Sequence, residues 1–401
     1  MRILIVSQYF FPEEFKINDL ARDFVDRGHK VTVLTGKPNY PKGEYYDGYQ
    51  YKGVVTENYF GAEVIRVPLR KRGAGGGKNL VLNYLSFVYN ANDYIRKNKM
   101  QYDAILVYEI SPITQVYPAL FCKKKYGGKV LVWVQDLWPE SVTAAGGVKN
   151  KLVLGILDRM VKKIYKKSDV LLVQSEGFKE SILSKGDFKS KIIFAPNWAE
   201  DLYIEKQMIE PEKVAAMMPK GFRVMFAGNI GAAQDVESII KAANETRDIP
   251  DIKWVIVGDG RAKSIVETQA KEFGLSKTVV FLGRHPMKQM PTFFSFADIM
   301  VVSLKDEYIF SLTIPAKTQS YMASGKPIVS MLNGEGNRII ENAGCGLTAQ
   351  SGDYKMLAKN VKKLYKTEKK ELSKMGLRGF EYYLSHFDKK TVIDNMLKSM
   401  E

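Results

Sequence analysis

A lysine near the start of a predicted helix is the residue whose position says most about chemistry. The apolar run 299–302 predicts a strand that ends in a polar loop, and a helix is expected to begin at Thr313 and Pro315. Thr caps helices well and Pro is favoured in a first helical turn. Lys317 would then add its charge to the free N–H groups and the positive dipole end of that helix. Such an arrangement binds anions, and a diphosphate is the anion we expect here.

A glycine-containing turn is predicted at another strand end in the same half of the chain. Gly228, Asn229 and Gly231 follow the strand-like run 222–226 and precede a helical pattern. Glycine in a strand-to-helix turn lets the backbone approach a phosphate closely. Tight turns also use glycine for steric reasons about as often. Taken alone, the turn is therefore compatible with a ligand site and with a purely structural role.

Arg284 and His285 follow a further predicted strand, 278–282. The exposed backbone at this point could pair with the edge of a nucleobase, and Arg284 could reach a phosphate.

In the first half of the chain, Asp136 follows the buried run 130–134 and lies between Trp133 and Trp138. We interpret this group as a wall that faces a sugar. The alternative is that Asp136 only caps a turn. Glu109 follows the strand-like run 104–108 and is expected at the same edge of the sheet.

Strand and helix patterns alternate along nearly the whole chain, which predicts parallel sheets with crossover helices. The runs that predict strands are 2–6, 31–34, 64–67, 104–108, 130–134, 170–173, 192–194, 222–226, 253–257, 278–282, 298–302 and 327–330. Helical patterns cover 15–27, 80–96 and 354–383, and a last helix is expected to begin at Asp388. The stretch 36–61, rich in Tyr, Gly and Pro, is too long for a routine connection, and long loops are usually functional.

With 401 residues, the chain exceeds the usual size of a single core, so two α/β domains are expected. We place an N-terminal domain at 1–200 and a C-terminal domain at 201–385. A C-terminal helix at about 386–401 could pack back on the first domain. Two such halves are expected to face a cleft at the carboxyl ends of their sheets, where ligands of these sheets bind.

The net charge of +16 calls for an explanation. A polyanionic partner, an anionic membrane or merely lysine-rich coding would each account for it. Basic residues from Lys149 to Lys167 are interleaved with apolar residues at helical spacing. This pattern is typical of a helix that rests on anionic lipid, and equally of a core-packed helix with a solvated lysine face. No run of 18 apolar residues occurs.

Several motifs together resemble the retaining glycosyltransferases of family 4, which have the two-domain, Rossmann-like GT-B fold. The resemblance spans essentially the full chain and is closest to the branch that acts in bacterial capsule, O-antigen and exopolysaccharide assembly, including N-acetyl-L-fucosaminyltransferases. The motifs, in chain order, are RILIVSQYFFPE, RGHKVTVLT, DLWPES, FAPNW, FAGNIG, FLGRHP and IPAKTQSYMASGKPIV.

The resemblance implies that the domain at 1–200 binds the acceptor and that the domain at 201–385 binds the nucleotide sugar. It also implies two sets of site residues. Those implied to bind the nucleotide are Gly228, Asn229, Gly231, Arg284, His285, Thr313, Pro315, Lys317 and Ser320. Those implied to act in catalysis are Asp136, Lys317, Glu307 and Arg284.

The sequence departs from the family pattern at two points. Many members carry two glutamates that would fall at Leu312 and Ser320, so we assign the sugar contact to the nearby Glu307. Many members also carry an Arg and a Lys where this chain has Asn229 and Gln234. Arg284 and Lys317 would then neutralise more of the diphosphate.

The resemblance implies metal-independent, retaining transfer of a sugar to a polyprenyl-diphosphate-linked saccharide. The donor is expected to be a UDP-sugar, with UDP-N-acetyl-L-fucosamine the leading candidate, and no cofactor is expected.

Two buried-type cysteines far apart in sequence predict a reduced, cytoplasmic protein, here at the inner face of the cytoplasmic membrane. No nucleic-acid partner is expected. The alternatives are a nucleotide-sugar epimerase of the same fold and a non-enzymatic binder of polyanions.

Overall fold

The computed structural model describes residues 1–73, 77–144, 148 and 150–401. Lys149, the first residue of the predicted basic helix, lies outside them. The chain forms two compact units, one of residues 1–195 with 392–401 and one of residues 196–391. Each unit is a mainly parallel sheet with helices, so the predicted fold class is confirmed.

The first unit contains a sheet with the strand order β3-β4-β2-β1-β5-β6-β7-β8. Its strands are β1 (Arg2–Val6), β2 (Lys30–Gly36), β3 (Val55–Tyr59), β4 (Ala62–Val67), β5 (Ala104–Glu109), β6 (Lys129–Val134), β7 (Val170–Val173) and β8 (Ile192–Phe194). All neighbouring strands run parallel except β3, which pairs antiparallel with β4 at the edge. The central strands are buried on both sides, as expected of parallel strands that are covered by helices.

Helices follow the strands of the first unit in chain order. They are α1 (Lys16–Asp26), α2 (Gly77–Lys97), α3 (Val116–Tyr126), α4 (Glu140–Ala144), α5 (Lys151–Lys167) and α6 (Glu176–Ser184). α2 packs against α3, and α3 in turn contacts α5.

The second unit contains a parallel sheet with the strand order β11-β10-β9-β12-β13-β14. Its strands are β9 (Phe222–Ala227), β10 (Ile252–Val257), β11 (Val279–Gly283), β12 (Ile299–Ser303), β13 (Ile328–Met331) and β14 (Gly346–Ala349). Its helices are α7 (Leu202–Glu205), α8 (Pro211–Met217), α9 (Val236–Glu245), α10 (Lys263–Glu272), α11 (Met290–Phe296), α12 (Tyr308–Ser311), α13 (Ala316–Ala323), α14 (Glu335–Ala343), α15 (Tyr354–Tyr365) and α16 (Lys369–His386). A final helix, α17 (Lys389–Met400), only begins in this unit. The last residues of α17, from Val392, group with the first unit.

Alternate residues of β9 belong to separate cores on the two faces of the second sheet. Val224 and Phe226 lie in one core, and Met225 and Ala227 in the other. This period of two explains why the strand appears in the sequence as a continuous apolar run.

The structure differs from the predicted elements in three places. The stretch 36–61, predicted as one long loop, contains β3, a largely exposed edge strand with little apolar pattern. β14 was not predicted, because a short strand that begins with glycine resembles a turn. The continuous helix predicted over 354–383 is interrupted after Tyr365, so α15 and α16 are separate helices. Of the helices in the described part of the chain, none combines the length and apolar character needed to cross a bilayer.

Candidate functional site

The strand order of the second unit places a switch point between β9 and β12. β10 and β11 follow on one side of β9, whereas β12 pairs with its other side. In parallel α/β sheets, ligands bind beyond the carboxyl ends of the strands at such a point. The turn 228–231 follows β9 directly, and the chain after β12 leads into α12 and α13.

The turn after β9 is fixed by hydrogen bonds to the neighbouring strand ends. The N–H of Gly228 donates to the carbonyl of Val257 at 2.8 Å, and that of Ile230 donates to Asp259 at 2.8 Å. On the other side, the N–H of Lys305 donates to the carbonyl of Ala233 at 2.9 Å. The turn is therefore held in one conformation before any ligand arrives.

Lys317, the second residue of α13, lies against this turn. Its Nζ is 4.0 Å from the centre of the Phe226 ring, a cation–π contact. Gly228 has a φ of 139°, and a Cβ there would lie 2.4 Å from Lys317 Cε, so only glycine leaves room for the lysine. Burial lowers the pKa of Lys317 to about 7, and no charged neighbour among the described residues offsets this shift.

Tyr321 joins α13 to the end of β9. Its hydroxyl donates to the carbonyl of Ala227 and accepts from the amide of Ala227, each at 3.2 Å. Tyr321 lies one helical turn after Lys317, and Ala227 immediately precedes Gly228. The buried tyrosine thus sets the register between the helix and the glycine turn, a role that the sequence analysis missed.

The start of α13 differs from the prediction. The helix begins at Ala316, with Pro315 in the capping position. Thr313 is not the cap, because its hydroxyl donates to the carbonyl of Phe310 at 3.0 Å. The hydroxyl of Ser320 donates to the carbonyl of Ala316 at 3.1 Å within the same helix. Lys317 is nevertheless in the first turn, where helix amides and the helix dipole favour an anion.

Arg284 and His285 follow β11, two strands away from β9 in the sheet order. His285 is held by its own surroundings: Nε2 is 3.0 Å from the carbonyl of Leu282, and the ring centre is 4.6 Å from that of Phe293. Arg284 is exposed. Gly258 links this end to the turn, since its amide donates to the carbonyl of Gly283 at 2.7 Å.

Glu307 is exposed and immediately precedes α12. The loop that carries it is attached to the glycine turn through Lys305 and through Ser303, whose hydroxyl donates to the carbonyl of Gln234 at 2.6 Å. The neighbouring Asp306 accepts from the amide side chain of Asn333 at 2.9 Å. Asp306 is thus tied to the fold by its side chain, whereas the side chain of Glu307 does not cap α12.

A cavity of 520 Å³ opens beside the turn. Its lining residues are Asn229, Gly231, Ala232, Ala233, Gln234, Glu237, Arg261, Ala262 and Ile265. Arg261 was missed by the sequence analysis, although a cation directly after the strand-end sequence Gly258-Asp259-Gly260 was the available signal. It supplies a positive charge near positions 229 and 234, where the family pattern has its own cations.

Asp136 belongs to the first unit, at the end of β6. Its Oδ2 accepts from the backbone amide of Ser111 at 2.8 Å, which ties the ends of β5 and β6 together. Trp133 is fully buried, so the predicted sugar-facing wall is wrong for this ring. Trp138 is also buried, and its indole N–H donates to Ser111 Oγ at 3.1 Å.

Glu109, the last residue of β5, is fully buried beside Asp136. Neither of its carboxyl oxygens has a hydrogen-bond partner among the described residues. Burial, and secondarily the charge of Asp136, raise the pKa of Glu109 well above its ordinary value. Burial therefore favours the neutral form of this carboxyl.

Among the described residues, no three His, Cys, Asp or Glu side chains lie close enough together to hold a metal ion as a group. The second unit does bring together Gly228, Asn229, Gly231 and Lys317, whereas Arg284, His285 and Glu307 lie on flanking strand ends. A fixed glycine turn, a buried amine and the start of a helix can together bind a phosphate or diphosphate.

Comparison with known proteins gives two family matches in succession. Residues 17–201 match the model described as Glycosyltransferase Family 4, and residues 211–381 match that of Glycosyl transferases group 1. Together these matches include the glycine turn and all of α13.

Two curated relatives and one solved structure illustrate the similarity. The chain is 28% identical over 259 residues to a probable glycosyltransferase, WbjE, of Pseudomonas aeruginosa, with 62% of each protein covered. It is 25% identical over 349 residues to WcaI of Escherichia coli K12, a putative colanic acid biosynthesis glycosyl transferase, with 81% of this chain and 82% of WcaI covered. The match thus spans less than two thirds of the length of WbjE. The structure of Anabaena HepE in complex with UDP superposes with a TM-score of 0.71 at 14% identity, covering 100% of this chain and 99% of that one.

Proposed function

The chain carries a family 4 glycosyltransferase domain followed by a group 1 glycosyl transferase domain in a GT-B fold, and from this premise we propose that it transfers a sugar from a nucleotide diphosphate. The second unit binds the donor, with its diphosphate at the turn 228–231 and the start of α13. The observation that carries this proposal is the buried amine of Lys317 against a glycine turn. The acceptor is a lipid-linked saccharide in the assembly of a surface polysaccharide.

The electrostatics of Lys317 favour a diphosphate over a neutral ligand. Burial destabilises the charged form of an amine that has no carboxylate partner, and this is why the pKa of Lys317 is low. A diphosphate would restore the ordinary pKa and at the same time accept hydrogen bonds from the amides of the turn and helix. The same groups would stabilise the charge that develops on the leaving diphosphate during sugar transfer.

Further contacts to the donor are assigned to the flanking strand ends. The backbone of residues 283–286 holds the nucleobase, and Arg284 contributes charge near the phosphates. Arg261 faces the same cavity as Asn229 and Gln234, which supports its inclusion among the diphosphate-binding cations. Glu307 contacts the donor sugar, and Asp136 in the first unit serves the sugar or the acceptor.

UDP is proposed as the nucleotide, because the similar HepE structure was solved with UDP. The sugar proposed first is N-acetyl-L-fucosamine, on the resemblance to that branch of family 4. The same resemblance supports retention of anomeric configuration and transfer without a metal ion. Activity is therefore expected to persist in EDTA, and a loss that Mn²⁺ restores would contradict metal independence.

The surface of α5 supports a peripheral position at an anionic membrane, the inner face of the cytoplasmic membrane in our proposal. Val161, Ile164 and Tyr165 pack into the core, whereas Leu152 and Ile156 are 79% and 64% exposed. The helix is thus core-packed in its second half and apolar toward solvent in its first half. Together with its lysines, this face suits an anionic lipid surface. Flotation with anionic vesicles at low salt is the test, and failure to co-float would count against this position.

Transfer is tested with a panel of UDP-sugars and a polyprenyl-diphosphate-linked saccharide acceptor. Lys317→Ala should reduce turnover by about 100-fold or more, the range found when one such electrostatic group is removed. Lys271→Ala, at an exposed lysine on α10, is the matched control and should leave turnover unchanged. Wild-type turnover in Lys317→Ala would remove this lysine from the mechanism.

Two other results would favour other functions. Formation of a new nucleotide sugar from donor alone would indicate an epimerase. Binding of DNA that survives raised salt would favour a polyanion binder, because purely electrostatic binding weakens steeply with salt.

A further inference from the structure

A second pocket lies in the first unit, where the chain leaves β4 and enters α2. Its volume is 430 Å³. Its lining residues are Tyr45, Tyr51, Arg70, Lys71, Gly73, Asn79 and Leu82. None of the residues assigned to donor binding or catalysis belongs to this pocket, so it is separate from the donor site.

Two adjacent cations give the pocket its charge. The backbone of Arg70 is fixed, because its amide donates to Ser86 Oγ at 2.9 Å and its carbonyl accepts from Asn83. Among the described residues, no acceptor is bonded to its guanidinium. Lys71 pairs with Glu44 at 2.6 Å, but both side chains are about half exposed, and such pairs contribute little free energy. Both charges are therefore available to an anionic ligand.

Two tyrosines also line the pocket. The hydroxyl of Tyr45 donates to the carbonyl of Leu69 at 2.7 Å, which fixes the ring against the segment that carries Arg70. Tyr51 is 41% exposed at the rim. Tyrosine rings and a leucine beside two cations suit an amphiphile more than a fully polar ion.

An apolar stripe leads away from the pocket along α2. The buried face of this helix is formed by Asn83, Phe87, Ala91 and Ile95. On the opposite face Val81, Leu85 and Tyr89, spaced four residues apart, are 54%, 55% and 73% exposed. Leu82 in the pocket lies three and seven residues before Leu85 and Tyr89, so these side chains are neighbours on one side of the helix.

We propose that this pocket binds the isoprenyl diphosphate part of the lipid-linked acceptor. The diphosphate lies on Arg70 and Lys71, and the isoprenoid chain follows Leu82, Leu85 and Tyr89. This inference rests on the proposed function, because it names the acceptor's lipid carrier. Charge complementarity supports a diphosphate, and the exposed stripe supports a long apolar chain, which a nucleotide sugar does not have.

The direct test measures binding of farnesyl diphosphate, a soluble isoprenyl diphosphate, to the full chain by titration calorimetry. Arg70→Gln combined with Lys71→Gln should weaken binding at least about tenfold, since two charge-assisted contacts are lost. Arg96→Gln combined with Lys97→Gln removes the same charge from the other end of α2 and should change binding less than about twofold. Equal weakening by both double variants would show non-specific attraction and overturn the proposal.

The apolar stripe is tested with Leu85→Ser, at an exposed position where folding should be retained. This change should weaken the binding of farnesyl diphosphate several-fold, by about the value of one lost apolar contact. The binding of inorganic pyrophosphate should not change. Equal effects on both ligands would exclude the stripe as the isoprenoid path. If phosphatidylglycerol vesicles, and not farnesyl diphosphate, depend on Arg70 and Lys71, the ligand is a membrane headgroup and the proposal is wrong.

UDP binding, measured in parallel, separates the two proposals. The Arg70–Lys71 double variant should bind UDP like the wild type, because the donor site is in the other unit. Sugar transfer without farnesyl diphosphate binding would refute the pocket and leave the transferase standing. Farnesyl diphosphate binding without any sugar transfer would leave the pocket and refute the transferase.

Discussion

The side chain of Lys317 occupies the space next to Gly228 that any other residue at 228 would need. A Cβ at position 228 would lie 2.4 Å from Lys317 Cε and 3.1 Å from its Nζ. Gly228 is therefore needed for two reasons. It adopts a φ of 139°, which other residues rarely do, and it leaves room for the lysine at the end of β9. Two motifs 89 positions apart in sequence depend on each other for their shape.

Gly228→Ala should therefore disturb the donor site through Lys317. We expect UDP affinity and turnover to fall at least about tenfold, because the lysine must leave the ring of Phe226. Gly274→Ala is the control, since Gly274 also has a positive φ but nothing within 4 Å of its Cβ position. It should lose only about 1 kcal/mol of stability from backbone strain and keep its UDP affinity. Equal loss of affinity in both variants would show that strain alone is responsible.

Tyr321→Phe tests whether the register of α13 on β9 matters to the site. The change leaves the amide and carbonyl of Ala227 without the hydroxyl that pairs with both. Unfolding free energy should fall by about 1–3 kcal/mol, and turnover should fall with it. Tyr365→Phe is the control, because the ring of Tyr365 makes a T-shaped contact with that of Phe222, which does not depend on the hydroxyl. Unchanged turnover in Tyr321→Phe would show that the register does not depend on this hydroxyl.

Proton uptake should accompany UDP binding. The pKa of Lys317 is about 7 in the ligand-free site, so at pH 8 the amine is mostly neutral. A bound diphosphate raises this pKa and protonates the amine, so affinity should decrease as pH rises above about 7. Calorimetry at pH 8, in buffers of different ionisation enthalpy, should show uptake of nearly one proton, about 0.9 by this pKa.

Lys317→Arg is the control for proton uptake, because arginine stays charged throughout this pH range. It should show no uptake at pH 8, where free UDP is fully ionised. The same uptake in both proteins would assign the proton to another group.

The alternation of strands and helices could be predicted from the sequence, because buried parallel strands appear as short apolar runs. β9 and β12 are examples, and both are buried over most of their length. It was insufficient for β3, whose residues Val55 to Tyr59 are mostly exposed at a sheet edge and carry little apolar signal. Edge strands are defined by their pairing partner, which a local pattern does not contain.

In the candidate site, too, residues with a local sequence signal could be predicted, and residues whose role depends on long-range packing could not. Lys317 and Gly228 could be chosen from the sequence because a helix start and a strand-end turn have local signals. Tyr321 could not, since its importance comes from a helix packed across the end of β9. Arg261 had a local signal in the strand-end sequence before it, but its place beside the glycine turn follows only from the strand order. Thr313 failed as the predicted cap because α12 precedes α13 and its last turn takes the hydroxyl.

Glu109→Gln tests the neutral state of this buried carboxyl. The pKa of Glu109 is raised in the folded protein, so the unfolded chain releases its proton first as pH rises. The contribution of Glu109 to stability is therefore complete below its ordinary pKa and is lost as pH increases. Glutamine does not ionise, so the variant should gain stability relative to the wild type from pH 5 to pH 8 in chemical denaturation.

Glu140→Gln is the matched control for Glu109→Gln. Its Oε1 accepts from Lys185 Nζ at 2.6 Å, so this variant should be less stable than the wild type at both pH values. Destabilisation of Glu109→Gln that grows with pH would contradict a raised pKa of Glu109.

The position of UDP in a crystal of the protein tests the central claim most directly. Our account predicts its diphosphate at residues 228–231, within hydrogen-bond distance of Lys317 Nζ and of the first amides of α13. A diphosphate bound anywhere else, with Lys317 still against the ring of Phe226 and without an anion, would contradict the account.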